Sequence, residues 1–179
     1  MLVKFLLIGF AFLTFLRFSV ALRKNFDSVR LPLGMILLSA LALASFLLIS
    51  LFAFWSASGI YVVVGLVGIA GSNYIFGKSV SALEGDRLKV AFDPDLPRHV
   101  QTTGIYSRIR HPMYASYILF WAAYATGSAD WRALLPAFVI ISVYVFLALS
   151  EERRMLASPA SETYAKLMAQ AGMFWPKLW

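Results

Sequence analysis

Long apolar runs separated by short charged stretches dominate this chain. The runs are Met1–Leu22, Leu31–Trp55, Ile60–Phe76, Pro112–Thr126 and Ala133–Ser150. A helix needs about 20 mostly apolar residues to cross a bilayer, so the pattern predicts five membrane helices, at 1–22, 31–55, 60–76, 112–126 and 133–150. Between the third and fourth lies a polar loop, 77–111, and after the fifth a tail, 151–179. The expected fold is a single all-α membrane domain, residues 1–179. No charge occurs from Leu31 to Ser72, and Ser56-Ala57-Ser58-Gly59 is the only turn-like break there, so the second and third runs read as a tight helical hairpin. Gly65, Gly68 and Gly71 repeat at three-residue spacing in the third run. No strand precedes them, which excludes a dinucleotide fingerprint; small residues on one face let helices approach closely in lipid.

Composition supports the membrane reading. The chain is 60% hydrophobic with a mean hydropathy of +0.75, against roughly 45–50% apolar residues in soluble domains. It has no cysteine, which excludes disulfides, thiolate nucleophiles and thiolate metal sites. With the N-terminus outside, every lysine and arginine except Lys4, Arg17 and Arg132 falls on the inner side, as the positive-inside rule requires. The expectation is therefore a multi-pass protein with a cytosolic C-terminus, whose net charge of +7 reflects topology and anionic lipid. No nucleic-acid recognition motif is present. The first run also has features of a signal peptide, with Lys4, an apolar stretch, Ser19 and Ala21. Arg17 interrupts its apolar core, and Arg23 and Lys24 follow it, which suits a retained helix whose Arg17 snorkels or faces the bundle. Asp93-Pro94-Asp95 lacks further ligands at suitable spacing, so it reads as a solvated turn and no metal site is expected. Trp55, Trp121 and Trp131 are expected to anchor at the interfaces or pack between helices.

The candidate chemistry sits where the polar loop meets the fourth run, at Arg110-His111-Pro112-Met113-Tyr114. Proline is tolerated at the first helical position because its missing N–H has no partner there, so the helix starts at Pro112. The same proline pushes His111 toward extended backbone, and Tyr114 returns to the same side one turn on. The helix N-terminus adds free N–H groups and partial positive charge, which suit an anion. Gly127-Ser128-Ala129-Asp130-Trp131 is a short turn, so the fourth and fifth helices must run antiparallel. At 1.5 Å per residue, the chain then returns to its starting depth near Glu151-Glu152-Arg153-Arg154. The imidazole and the paired acids are thereby expected on one membrane face.

These residues resemble a known family. Thr103-Gly104-Ile105-Tyr106, Arg108-Ile109-Arg110-His111-Pro112-Met113-Tyr114 and Glu151-Glu152-Arg153-Arg154-Met155-Leu156 look like the signature of isoprenylcysteine carboxyl methyltransferases and the related phospholipid N-methyltransferases. The resemblance covers roughly residues 100–176. It implies a small helical membrane enzyme using S-adenosylmethionine without a Rossmann domain. It further implies that Gly104, Tyr106, His111, Tyr114, Glu151 and Glu152 line the cofactor site, and that Arg110 lies beside the reacting groups, so that Arg110 and Glu152 are the candidate catalytic residues. After Leu156 the chain departs from the family: Ser158-Pro159-Ala160-Ser161 replaces a phenylalanine-glycine pair and Leu167 stands for a tyrosine, while Tyr164 and Phe174-Trp175-Pro176 are kept.

The residue types suit that cofactor. Glu151 or Glu152 can hold its amine, the helix N-terminus or Arg110 its carboxylate, and Tyr106 or Tyr114 can turn an aromatic face to the sulfonium. The expected acceptor is a lipid-like or prenylated molecule, such as the carboxylate of a prenylcysteine, entering from the bilayer. Two other readings stand beside it: an NADPH-dependent membrane reductase resembling the steroid 5-alpha-reductases, and a non-catalytic membrane adaptor. Nothing in the sequence fixes the oligomeric state.

Overall fold

A computed structural model describes residues 1–25, 33–83 and 100–177, with residues 22–25 described by their backbone only. Its helices are α1 (Leu2–Asn25), α2 (Leu33–Ser56), α3 (Gly59–Ser81), α4 (Pro112–Gly127), α5 (Leu134–Leu156) and α6 (Ser161–Gln170), with short 3-10 turns at Gly104–Ser107 and Trp131–Ala133. Among the described residues the only strand-like pairing is an isolated parallel bridge between Ile109 and Gly172. The Asp93-Pro94-Asp95 turn lies outside the described residues.

Among the described residues, four helical stretches are long and apolar enough to cross a membrane: Leu2–Ala21, Leu33–Ser56, Gly59–Ser81 and Trp131–Leu156. The protein is thus a multi-pass integral membrane protein. The fourth predicted run forms a helix of 16 residues, about 24 Å long, shorter than the other four. Much of it is buried, with Phe120, Trp121 and Tyr124 almost fully enclosed. Protein rather than lipid surrounds α4, so its length need not match the bilayer.

The bundle order follows from which residues touch. Lys4 Nζ caps the last carbonyls of α2, donating to Phe54 O at 3.1 Å and Trp55 O at 2.8 Å, so α1 and α2 run antiparallel. The two-residue connector Ala57-Ser58 turns the chain into α3, the tight hairpin expected. Asn73 Nδ2 donates to Thr14 Oγ1 at 2.7 Å, placing α3 parallel to α1. Gly65, Gly68 and Gly71 of α3 face α4: a Cβ on Gly65 would come within 2.7 Å of Gly127 Cα, and one on Gly68 within 2.5 Å of Ala123 Cβ. This is the close packing that small residues permit in lipid. Deeper in the same seam, Ser72 Oγ donates to Ser116 O at 2.7 Å.

Helices α3 and α5 run past the ends of their apolar runs, to Ser81 and Leu156. In α5 the reason is local: glutamate, arginine, methionine and leucine are all strong helix formers. Glu151 and Glu152 consequently stand on the last turns of a rigid helix instead of in a loose tail. Of the tryptophans, Trp121 is 2% exposed and packs on Phe15 and Phe120, whereas Trp55 and Trp131 are 69% and 80% exposed at helix ends.

Candidate functional site

The site is assembled from three segments on one end of the bundle. Helix α4 begins at Pro112, with His111 in its capping position at φ −121° and ψ 61°. The preceding backbone is not free. Arg110 N donates to Gly172 O at 2.8 Å, His111 N to Met173 O at 3.0 Å, and Gly172 N to Arg108 O at 3.0 Å. These bonds hold the tail beneath the start of α4. Antiparallel to α4, α5 brings its last turns to the same depth.

Arg110 and Glu152 form a buried pair, Nε to Oε1 at 2.7 Å, with side chains only 9% and 11% exposed. The guanidinium also donates through Nη1 to Ala171 O at 2.5 Å. Tyr114 hydroxyl donates to Glu151 Oε1 at 2.6 Å. His111 lies between the acids, with Nδ1 3.7 Å from Glu151 Oε2 and Nε2 3.4 Å from Glu152 Oε1. The second approach lacks hydrogen-bond alignment, and among the described residues Nε2 stays buried with no hydrogen-bond partner.

Among the described residues, the buried hydroxyls of Tyr106 and Tyr164 also lack a hydrogen-bond partner. Burial, reinforced by Glu151, pushes the Tyr106 phenol above its ordinary range. Burial and then Glu152 do the same to Tyr164. Both phenols therefore remain protonated donors beside the acids at any physiological pH. Orphaned buried polar groups are uncommon because each costs the desolvation of an unmade bond. Three around one pair of carboxylates are what a polar ligand would satisfy. Rings close the membrane side: Tyr114, Tyr117 and Tyr144 lie with centroids 5.2–6.3 Å apart. Phe174 approaches His111 at 6.2 Å.

Of the residues singled out from sequence, Arg110, His111, Tyr114, Glu151 and Glu152 converge, and Tyr106 joins them within electrostatic reach of Glu151. Gly104 stands apart. It opens the 3-10 turn with φ +60°, and a Cβ there would meet Ala82 at 3.0 Å, so its visible role is to let the chain turn Tyr106 inward. Arg110 is already engaged by Glu152 and the Ala171 carbonyl. Sequence reasoning missed Tyr164 as a site residue, as well as the return of Ala171–Phe174. The retained Tyr164 and Phe174-Trp175-Pro176 were the available signal. Among the described residues, no group of three or more His, Cys, Asp or Glu could hold a metal ion.

A model of the phospholipid methyltransferase family matches residues 38–159. The chain belongs to that family. No curated protein and no solved structure matches it. The matched span runs from within α2 through α5 and includes Arg110, His111, Tyr114, Glu151 and Glu152; α1, Tyr164 and the tail fall outside. The chain is thus a membrane methyltransferase of the phospholipid methyltransferase family, with its converging polar side chains at one end of the bundle.

Proposed function

We propose that the protein transfers a methyl group from S-adenosylmethionine to the head group of a membrane lipid, at the cytosolic face, with its N-terminus outside. The observation that carries this reading is the set of three buried atoms without a hydrogen-bond partner among the described residues, His111 Nε2 and the Tyr106 and Tyr164 hydroxyls, around Glu151 and Glu152. These groups fit a zwitterionic cofactor: carboxylates for its amine, N–H and O–H donors for its acceptor atoms, and tyrosine rings for its cation. We assign Glu151, Glu152, His111, Tyr106 and Tyr114 to holding it, with Gly104 shaping the turn that presents Tyr106. When bound, it supplies an electrophilic methyl on a sulfonium.

The chain's own groups do the rest by position. Arg110 fixes the Glu152 carboxylate through Nε and is itself fixed by the Ala171 carbonyl, so both are preorganised before any ligand arrives. The Tyr114 hydroxyl occupies Glu151 Oε1, leaving Oε2 to accept a proton from an amine acceptor. Apolar surroundings exclude water, which strengthens the attraction between acids and cation. The description of the matched family, together with a proton acceptor at Glu151 Oε2, supports a phospholipid amine ahead of the prenylcysteine carboxylate expected from sequence.

The test uses purified full-length protein in lipid vesicles. Methyl-labelled S-adenosylmethionine should label phosphatidylethanolamine, and should bind where NADPH does not. Saturable NADPH binding without S-adenosylmethionine binding would overturn the cofactor, and labelling of a prenylcysteine analogue alone would overturn the acceptor.

A further inference from the structure

Away from this site, α1 and α3 enclose a groove of about 750 Å³, within the ~300–1,000 Å³ that ligand sites occupy. Its lining is apolar at Leu13, Leu16 and Val20 and polar at Arg17, Asn73 and Lys78. Leu13 and Leu16 are 63% and 47% exposed, and Tyr74 beside them 67%, so the groove opens sideways onto the surface that faces hydrocarbon. Arg17 lies eight residues before the end of α1, about 12 Å by helical rise, and Lys78 less than one turn before the end of α3. Both residues are exposed.

A cation on a lipid-facing surface is costly without a counter-charge. Arg17 Nη1 donates to Asn73 O at 3.3 Å and Oδ1 at 2.9 Å, and the guanidinium covers the Phe76 ring at 5.4 Å. Two of its five donors are thus used. Lys78 Nζ lies 5.8 Å from the Tyr74 ring centroid. Among the described residues, neither cation has a carboxylate partner. Asn73 is in turn held by Thr14 and the Ile69 carbonyl, so the guanidinium is set in place while Nε and Nη2 have no hydrogen-bond acceptor among the described residues.

We propose that this groove binds one phospholipid, its phosphate between Arg17 and Lys78 and an acyl chain along Leu16 and Leu13, the side of Arg17 nearer the middle of α1. A guanidinium fork and an ammonium are a suitable pair for a phosphate, and the apolar wall selects a lipid over a free anion. The site is separate from the methyl-transfer centre. Phe18 and Phe76, in contact at 4.6 Å, and Tyr117, 4.8 Å from Phe18, form a layer of rings between them.

Native mass spectrometry of the full chain released from detergent tests this, with dioleoylphosphatidylglycerol, dioleoylglycerol and glycerol 3-phosphate as probes. Phosphatidylglycerol should give a retained one-to-one adduct and dioleoylglycerol a weaker one. The adduct should fall about tenfold or more in the Arg17→Gln, Lys78→Gln double variant. Leu16→Trp keeps both cations but fills the groove, and should remove the adduct as well. S-adenosylmethionine binding is expected to stay at the wild-type level in both variants, which separates this site from the methyl-transfer reading and reports folding. An undiminished adduct in both variants overturns the proposal. Binding of glycerol 3-phosphate as tight as that of the lipid overturns it too, since the site would then be one for free phosphate.

Discussion

Arg110 and Glu152 are 42 residues apart in sequence and 2.7 Å apart in the fold, with Arg110 Nε donating to Glu152 Oε1. The pair joins the segment entering α4 to the last turns of α5, and a second guanidinium bond, to Ala171 O, adds the tail. Removing one member leaves the other charged and buried. Arg110→Ala should therefore lower unfolding free energy in detergent by roughly 3–5 kcal/mol. Unchanged denaturant midpoints would show that water reaches the pair.

Glu151 is held differently, by the Tyr114 hydroxyl at 2.6 Å and His111 Nδ1 at 3.7 Å. If these groups receive the cofactor, Glu151→Gln and His111→Ala each weaken S-adenosylmethionine binding by roughly 1–3 kcal/mol, the scale of a lost charge-assisted bond. Calorimetric titration measures it. Wild-type affinity in both variants would remove the assignment.

Gly172 sits where only glycine fits. A Cβ there would overlap the Trp175 carbonyl oxygen, which is backbone and cannot rotate away. Gly172→Ala should break the Arg110 N and His111 N bonds to the tail. Limited proteolysis should then release residues after Gln170 faster, while the helix content by circular dichroism stays the same.

The α3–α4 seam makes a parallel case. A Cβ on Gly68 meets the Ala123 Cβ at 2.5 Å, so Gly68→Val should push the two helices apart. The expected loss is about 1–3 kcal/mol from overpacking, read from thermal unfolding. Gly9→Ala, where a Cβ meets nothing within 4 Å, should be silent.

At the opposite end of the bundle, Asp130 ties the α4–α5 turn to α2. It accepts from Arg132 Nε at 2.9 Å, Arg132 Nη2 at 2.7 Å and Ser56 Oγ at 3.0 Å. The Arg132 side chain holds the carboxyl well below its usual range. A depressed folded-state value means that the stabilisation is complete above the ordinary carboxylate range and fades as pH falls from that range toward the depressed folded value. The melting-temperature gap between wild type and Asp130→Asn should accordingly be largest near about pH 6 and shrink toward about pH 3. A gap that does not change with pH would place the effect in packing rather than charge.

Much of this was written in the sequence, because the rules involved are local. Apolar run length set the helices, the break at Ser56–Gly59 set the hairpin, the glycine spacing set the α3 seam, and Pro112 set the start of α4. An antiparallel return over known helical rise put Glu151 and Glu152 at the depth of His111. Tertiary structure alone decided which acid meets which partner. Successive residues on a helix point about 100° apart, so the rotation of α5 against α4, fixed by packing along its whole length, sends Glu152 to Arg110 and Glu151 to Tyr114. It also decided that Tyr164 and the Ala171–Phe174 stretch close the site, since one parallel bridge and a few long-range bonds leave no periodic trace in the chain.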